Sequence, residues 1–241
     1  MSQGLVYALH GFLGQASDWN EVRKPLEDRG LQFHAENLFG PDSLVVTDFL
    51  TYVKELANKI SQLPASAKKV FVGYSLGGRL GLHLMEHHPT LFDHYVFLST
   101  NPGLDDSATN YRRVRISNDR EWAAQITPDE WTEFNQRWND QKVFEGSAQE
   151  PERNAADFDL AKLRKSLLEW SLGKQKDLSA VIKSNQDKLT WVVGDRDLKF
   201  AQIAVDLKQK KILLNYKRIS SSHRIWLDNP SAISELLQNL Y

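Results

Sequence analysis

The chain of 241 residues contains no cysteine, which excludes structural disulfides and thiolate metal sites. It also lacks charge of one dominant sign. Thirty Lys and Arg face 31 Asp and Glu, leaving a formal net charge of -1 and no basic field to gather nucleic acid. No apolar run approaches the roughly 18 residues of a membrane span. The start, Met1-Ser-Gln-Gly, has neither the basic opening nor the apolar core of a secretory signal. Internal repeats and low-complexity segments are missing too. These absences point to a soluble, cytoplasmic protein with no nucleic-acid or membrane partner. What is present is ordinary: 41% hydrophobic and 25% charged residues, in a length that suits one domain or a core with one large insertion.

Short apolar, β-branched runs alternate with longer amphipathic ones, the pattern of strand–helix units on a mostly parallel sheet. Strands are expected at Leu5–Leu9, Leu31–Glu36, Lys69–Val72, His94–Leu98, Leu189–Val193 and Lys211–Lys217. Helices are expected at Asp18–Arg29, Ser43–Gln62, Leu76–His87, Phe200–Lys208 and Pro230–Leu240. Asn229-Pro230-Ser231 reads as a helix start, with a capping side chain and Pro in the first turn.

The middle of the chain differs. From Pro102 to Lys188 no convincing strand occurs, and Trp122, Trp131, Trp138 and Trp170 all fall there. This stretch reads as a helical cap (102–188) inserted into an α/β core made of 1–101 and 189–241. Its tryptophans read first as packing residues.

Gly73-Tyr74-Ser75-Leu76-Gly77 carries the chemistry. A G-x-S-x-G run between a strand and a helix is a nucleophile elbow, a sharp turn that lifts the serine oxygen clear of the sheet. The flanking glycines are required because side chains there would strike the neighbouring strand and helix. The Leu76 amide then stands at a helix N-terminus, where positive potential steadies an anion. A serine needs a group to handle its proton and a third to orient that group. Gly194-Asp195-Arg196-Asp197, after the fifth strand, offers two acids, of which Asp197 is preferred. Ser222-His223, after the sixth, offers the base. The second oxyanion donor is expected from Phe12, in His10-Gly11-Phe12-Leu13-Gly14.

Arg79 lies one helical turn beyond Ser75 and can face the same cavity. Tyr111 to Arg120 packs four arginines against one aspartate, and Arg164 sits in another helical stretch. A solvated charged face explains such residues about as well as a pocket does. Turned inward, they would suit a substrate with several carboxylates, which guanidinium binds through paired hydrogen bonds. His10 reads as shaping its turn, and His87-His88-Pro89 as ending a helix. No histidine pair shows metal spacing beside a carboxylate, so neither metal nor cofactor is expected.

These motifs together resemble those of the α/β-hydrolase-fold family of 2-succinyl-6-hydroxy-2,4-cyclohexadiene-1-carboxylate synthases of menaquinone biosynthesis. The resemblance spans nearly the whole chain. It rests on His10 to Gly14 with Trp19, Val72 to Arg79, Asn101 to Leu104, Arg112 to Trp122, Trp138 to Phe144, Gly194 to Phe200, and His223 to Pro230. It implies a triad of Ser75, Asp197 and His223, and pocket roles for Tyr74, Arg79, Arg115, Trp138 and Arg164. It implies a carbon–oxygen lyase: a base removes a proton from 2-succinyl-5-enolpyruvyl-6-hydroxy-3-cyclohexene-1-carboxylate, and the enolate expels pyruvate. A serine carboxylesterase or C–C bond hydrolase acting through an acyl-enzyme is the alternative, and a non-catalytic binding protein a third reading. Many relatives carry two antiparallel strands before the His-Gly loop; here the loop begins at residue 10, so the sheet is expected to be trimmed at that edge.

Overall fold

The computed structural model describes residues 4–64 and 66–241. The reading made on Met1 to Gln3 lies outside the described residues. Six strands form one sheet: β1 (Leu5–Leu9), β2 (Gln32–Glu36), β3 (Lys69–Tyr74), β4 (His94–Leu98), β5 (Leu189–Gly194) and β6 (Lys217–Ile219). Every pairing is parallel, in the order β2-β1-β3-β4-β5-β6. The strand order reverses between β1 and β3. In open parallel sheets that switch point, at the carboxyl ends of the strands, is where ligands bind. Among the described residues β2 forms one edge of the sheet and β6 the other.

The helices are α1 (Asn20–Glu27), α2 (Phe49–Ser61), α3 (Leu76–His87), α4 (Thr109–Ala124), α5 (Trp131–Asn139), α6 (Leu160–Glu169), α7 (Ser179–Ser184), α8 (Leu198–Gln209), α9 (Ile225–Asp228) and α10 (Pro230–Gln238). Helices cover both faces, which is why β1 is buried at every position rather than at alternate ones. Val6, Val72, Val96 and Val192 point to one layer, with α1 and α10. Tyr7, Phe71, Phe97 and Trp191 point to the other, with α2, α3 and α8.

Two expected elements are shorter than their apolar patterns. The expected helix at Ser43–Gln62 begins only at Phe49, because the Asp48 carboxylate caps it by accepting the Thr51 N–H at 3.0 Å. The preceding loop is held by other bonds: Ser43 Oγ donates to Gly40 O at 2.7 Å, and Trp170 Nε1 to Thr47 O at 2.8 Å. The expected strand at Lys211–Lys217 is instead mostly the closure of α8. Lys211 adopts φ +56°, and the N–H groups of Ile212 and Leu213 return to Leu207 O at 2.9 and 3.2 Å. Those amides are spent on the helix end, so pairing starts at Lys217.

Between β4 and β5 the chain forms α4 to α7 and no strand. Trp131, Phe134, Phe158, Leu163 and Trp170 join the same apolar cluster as Leu76 and Leu80 of α3. Trp131 Nε1 donates to Arg153 O at 2.6 Å, so its buried polar atom is satisfied. Truncating such a residue to alanine costs about 3–5 kcal/mol. The segment is anchored to the core by packing as well as by its ends.

Candidate active site

Ser75 occupies the turn from β3 into α3 with φ +50° and ψ -108°, a conformation that L-residues seldom adopt. The flanking glycines make that turn possible. A Cβ on Gly77 would lie 2.3 Å from Leu9 O and 2.6 Å from His10 O, and one on Gly73 would lie 2.7 Å from Gly77 O. Backbone atoms cannot step aside as a flexible side chain can. The Ser75 N–H donates to Leu98 O at 2.9 Å, which ties the elbow to β4.

Asp197 and His223 arrive from the ends of β5 and β6, and both are buried. His223 Nδ1 and Asp197 Oδ2 lie 2.7 Å apart. A carboxylate only accepts, so the hydrogen sits on Nδ1 and the Nε2 lone pair is left available. Asp197 Oδ1 accepts the Phe200 N–H at 3.4 Å and caps α8, so one side chain starts a helix and orients an imidazole. The imidazole lies among the rings of Phe200, Tyr74 and Phe144, at centroid distances of 4.5, 5.3 and 5.7 Å. The other acid weighed from sequence, Asp195, accepts the Ser221 N–H at 3.1 Å and so braces the loop. Asp228 does the same from the far side, accepting the Ser222 N–H at 2.7 Å.

Ser75 and His223 line one cavity of about 890 Å³. Among the described residues no hydrogen bond joins Ser75 Oγ to the imidazole. The N–H groups of Phe12 and Leu76 likewise meet no protein acceptor among the described residues. Leu76 is the first residue of α3. Phe12 follows a turn built by His10, whose Nδ1 donates to Gly11 O at 2.7 Å and whose Nε2 accepts the Leu38 N–H at 2.9 Å. Burial pushes His10 down to about 4, against the opposing bond to Gly11, so it is a neutral structural brace. A smaller cavity of about 50 Å³ lies against Phe12, Tyr74, Ser75 and Trp138.

The arginines separate into distinct groups. Arg79 and Arg115 line the large cavity with Ser75 and His223. Arg79 is held by neutral acceptors, Gln175 Oε1 and Trp170 O, and its guanidinium lies 5.5 Å from the Phe49 ring centre. Burial and the charge of Arg115 push Arg79 down to about 9, with Asp119 opposing. It remains a cation at neutral pH, one with no carboxylate of its own. Arg115 is shared with Asp119, whose two oxygens each lie 3.0 Å from Nε. Arg112 serves the backbone, donating to Leu104 O, Gly173 O and Gln175 O. Arg113 and Arg120 are exposed. Arg164 is exposed on α6 and lines neither cavity, contrary to the role that resemblance implied. The helix turns Leu163, Ser166 and Leu167 inward, which fixes Arg164 on the outer face. Trp138 lines both cavities and packs on Phe12, with ring centres 4.5 Å apart.

The model of the α/β hydrolase fold matches residues 4–222 of the chain. The chain belongs to the α/β-hydrolase fold family. Within this family it is 30% identical to the 2-succinyl-6-hydroxy-2,4-cyclohexadiene-1-carboxylate synthase of Enterobacter sp. (strain 638), over 96% of this chain and 89% of that protein. It is 26% identical to the putative synthase of the same name from Haemophilus influenzae, over 96% and 94% of the two chains. MenH from S. aureus superposes with a TM-score of 0.83 over 99% of this chain and 93% of that one. At 18% identity that likeness speaks for the fold. Relatives of this kind make the α/β-hydrolase-fold chain an enzyme of the synthase group, which are lyases.

Several residues of this α/β-hydrolase-fold site escaped the sequence reading. Gln175 is fully buried and orients Arg79, yet nothing local marks it. Phe144 and Asn101 line the large cavity from loops. Lys199 lines it as well, and its signal was within reach, two residues beyond Asp197 in the Gly-Asp-Arg-Asp-Leu-Lys-Phe run. Away from the cavity, α3 gathers His83, Glu86 and His87 with their ligand atoms within 4.8 Å of one another. The sequence reading saw no histidine pair beside a carboxylate, and helical spacing supplies one. Lys176 already pairs with Glu86 at 2.7 Å, which neutralises the single carboxylate of that group.

Proposed function

We propose that the chain is the pyruvate-eliminating lyase of menaquinone biosynthesis, converting 2-succinyl-5-enolpyruvyl-6-hydroxy-3-cyclohexene-1-carboxylate to 2-succinyl-6-hydroxy-2,4-cyclohexadiene-1-carboxylate. One observation carries the reading: Arg79 and Arg115 share a cavity with Ser75 and His223, and Arg79 has only neutral partners. An ester pocket for an apolar acyl chain has no use for such a charge. A substrate with several carboxylates supplies what the guanidinium lacks.

In this reading Asp197 holds the imidazole of His223 with Nε2 unprotonated, and Ser75 Oγ passes its proton there as it takes one from the carbon beside the succinyl ketone. The enolate oxygen is met by the Phe12 and Leu76 amides, which have no other acceptor among the described residues. Collapse of the enolate forms the new double bond and breaks the C–O bond to the enolpyruvyl group, which takes the proton held on His223 Nε2 and leaves as pyruvate; the diene remains, and no acyl-enzyme forms. Residues 102–188 act as the cap over 1–101 and 189–241, bringing Arg115 and Trp138 to the substrate. Tyr74 packs beside His223 and stays a neutral phenol, since burial raises its pKa well above the ordinary value. The reaction needs neither metal nor cofactor, and a cytoplasmic setting fits its small anionic substrate.

Incubation with the enolpyruvyl precursor and measurement of pyruvate release is the direct test. Stoichiometric pyruvate supports the reading. No pyruvate, with turnover of short nitrophenyl esters, replaces it with a serine hydrolase.

A further inference from the structure

Five cations line the large cavity, Arg79, Arg115, Lys142, Arg196 and Lys199, against the acids Glu145 and Asp197. Three of the five are engaged. Arg115 is bound to Asp119, Arg196 lies 3.6 Å from Asp195, and Arg79 is oriented by Gln175 and Trp170. Lys199 has no hydrogen-bond or ion-pair partner among the described residues. Its Nζ lies 5.7 Å from the centre of the Phe200 ring, which in turn lies 4.5 Å from the imidazole of His223. The unpaired amine and the group read as the base therefore flank one phenyl ring on the wall of the same cavity.

Its position is unfavourable on several counts. Lys199 is the second residue of α8, at the end of a helix that repels cations. Lys199 is exposed to solvent, yet the desolvation that the cavity wall imposes and the charge of Arg115 still lower it below the ordinary amine value. Asp197 opposes them but is already committed to His223 Nδ1 and the Phe200 N–H. An anion in the cavity would offset each of these effects.

We propose that Lys199 holds a carboxylate of the substrate beside His223, while Arg79 and Arg115 hold the others. The inference rests on the polycarboxylate lyase reading and adds a specificity-determining residue to it. Arg164, given that kind of role by resemblance, is turned outward on α6. Lys142, the other cavity cation without a partner among the described residues, stands on a short turn beside Glu145, which offers a negative charge on the same stretch.

Steady-state kinetics of Lys199→Met, Lys199→Arg and Lys142→Met, with calorimetric binding of tricarballylate and glutarate to the same proteins, tests the proposal. Lys199→Met should raise KM roughly tenfold while kcat stays within about twofold, the mark of lost uniform binding. Lys199→Arg should restore most of the loss. Tricarballylate, with three carboxylates, should lose affinity by a similar factor, and glutarate, with two, by less. Lys208→Met, on the same helix and outside the cavity, should match wild type. Unchanged KM and unchanged tricarballylate binding in Lys199→Met overturn the proposal, as does an effect carried by Lys142→Met instead. If the wild type releases no pyruvate yet tricarballylate binding still depends on Lys199, the anion subsite stands and the lyase reading falls. If pyruvate is released and Lys199→Met is silent, the subsite falls alone.

Discussion

The strand ends of the sheet and the helices between β4 and β5 furnish the same cavity by different physical means. Ser75, Asp197 and His223 sit where parallel strands stop, and backbone contacts fix them: the bond from Ser75 to β4, the cap on α8, and the braces from Asp195 and Asp228. Arg115 and Trp138 sit on helix faces, and packing against neighbours decides which side chains turn inward. Arg115 faces the cavity from α4 while Arg113 and Arg120 on the same helix face solvent. The strand-end groups therefore depend on register, and the helix-borne groups on rotational phase. Arg164, turned outward on α6 against expectation, is a residue of the second kind.

The sharpest way to break this contrast is to remove a group at a strand end. Ser75→Ala and His223→Ala should each lower kcat by roughly 10²–10⁴-fold, measured as pyruvate release, with melting behaviour preserved. A fold that rests on backbone contact should also fail from backbone crowding alone. Gly77→Ala places a methyl 2.3 Å from Leu9 O and should destabilise the protein by about 3 kcal/mol in urea unfolding. Insensitivity at Gly77 would mean that the elbow relaxes more easily than its contacts allow.

On the cavity side the expected effects are smaller and selective. Arg79→Ala should weaken substrate binding by about 2 kcal/mol, and Arg115→Ala by a comparable amount. Arg164→Ala, on the outer face of α6, should stay within about 0.5 kcal/mol of wild type in both binding and stability. If Arg164→Ala matched Arg79→Ala, the phase assigned to α6 would be wrong.

Acid sensitivity isolates the sheet edge. Glu36 on β2 is buried, which raises its pKa, but bonds from His34, Lys59 and Tyr7 outweigh this and hold it at about 2. A carboxylate depressed on folding stabilises the native state fully above its unfolded value, near 4.5, and loses that contribution as pH falls towards 2. Wild type should lose unfolding free energy across that window more steeply than Glu36→Gln. Equal slopes would remove Glu36 as a source of acid sensitivity.

Much of this fold and site is legible in the sequence. The alternation of short apolar runs with amphipathic ones pointed to the parallel sheet, since helices covering both faces demand continuous apolar strands. Strict local requirements marked Ser75, because the only backbone that fits the elbow needs glycine at 73 and 77. Elements were misjudged where capping competed with pattern: Asp48 delayed α2, and the return bonds to Leu207 consumed the expected sixth strand. By itself the sequence determined the layers, the order of the strand-end loops and the residue types they carry, because those follow from period and turn chemistry. Only the tertiary structure decided that Gln175 orients Arg79, and that Lys199 lines the cavity while Arg164 does not. Those outcomes depend on contacts between residues far apart in the chain, which no local pattern encodes.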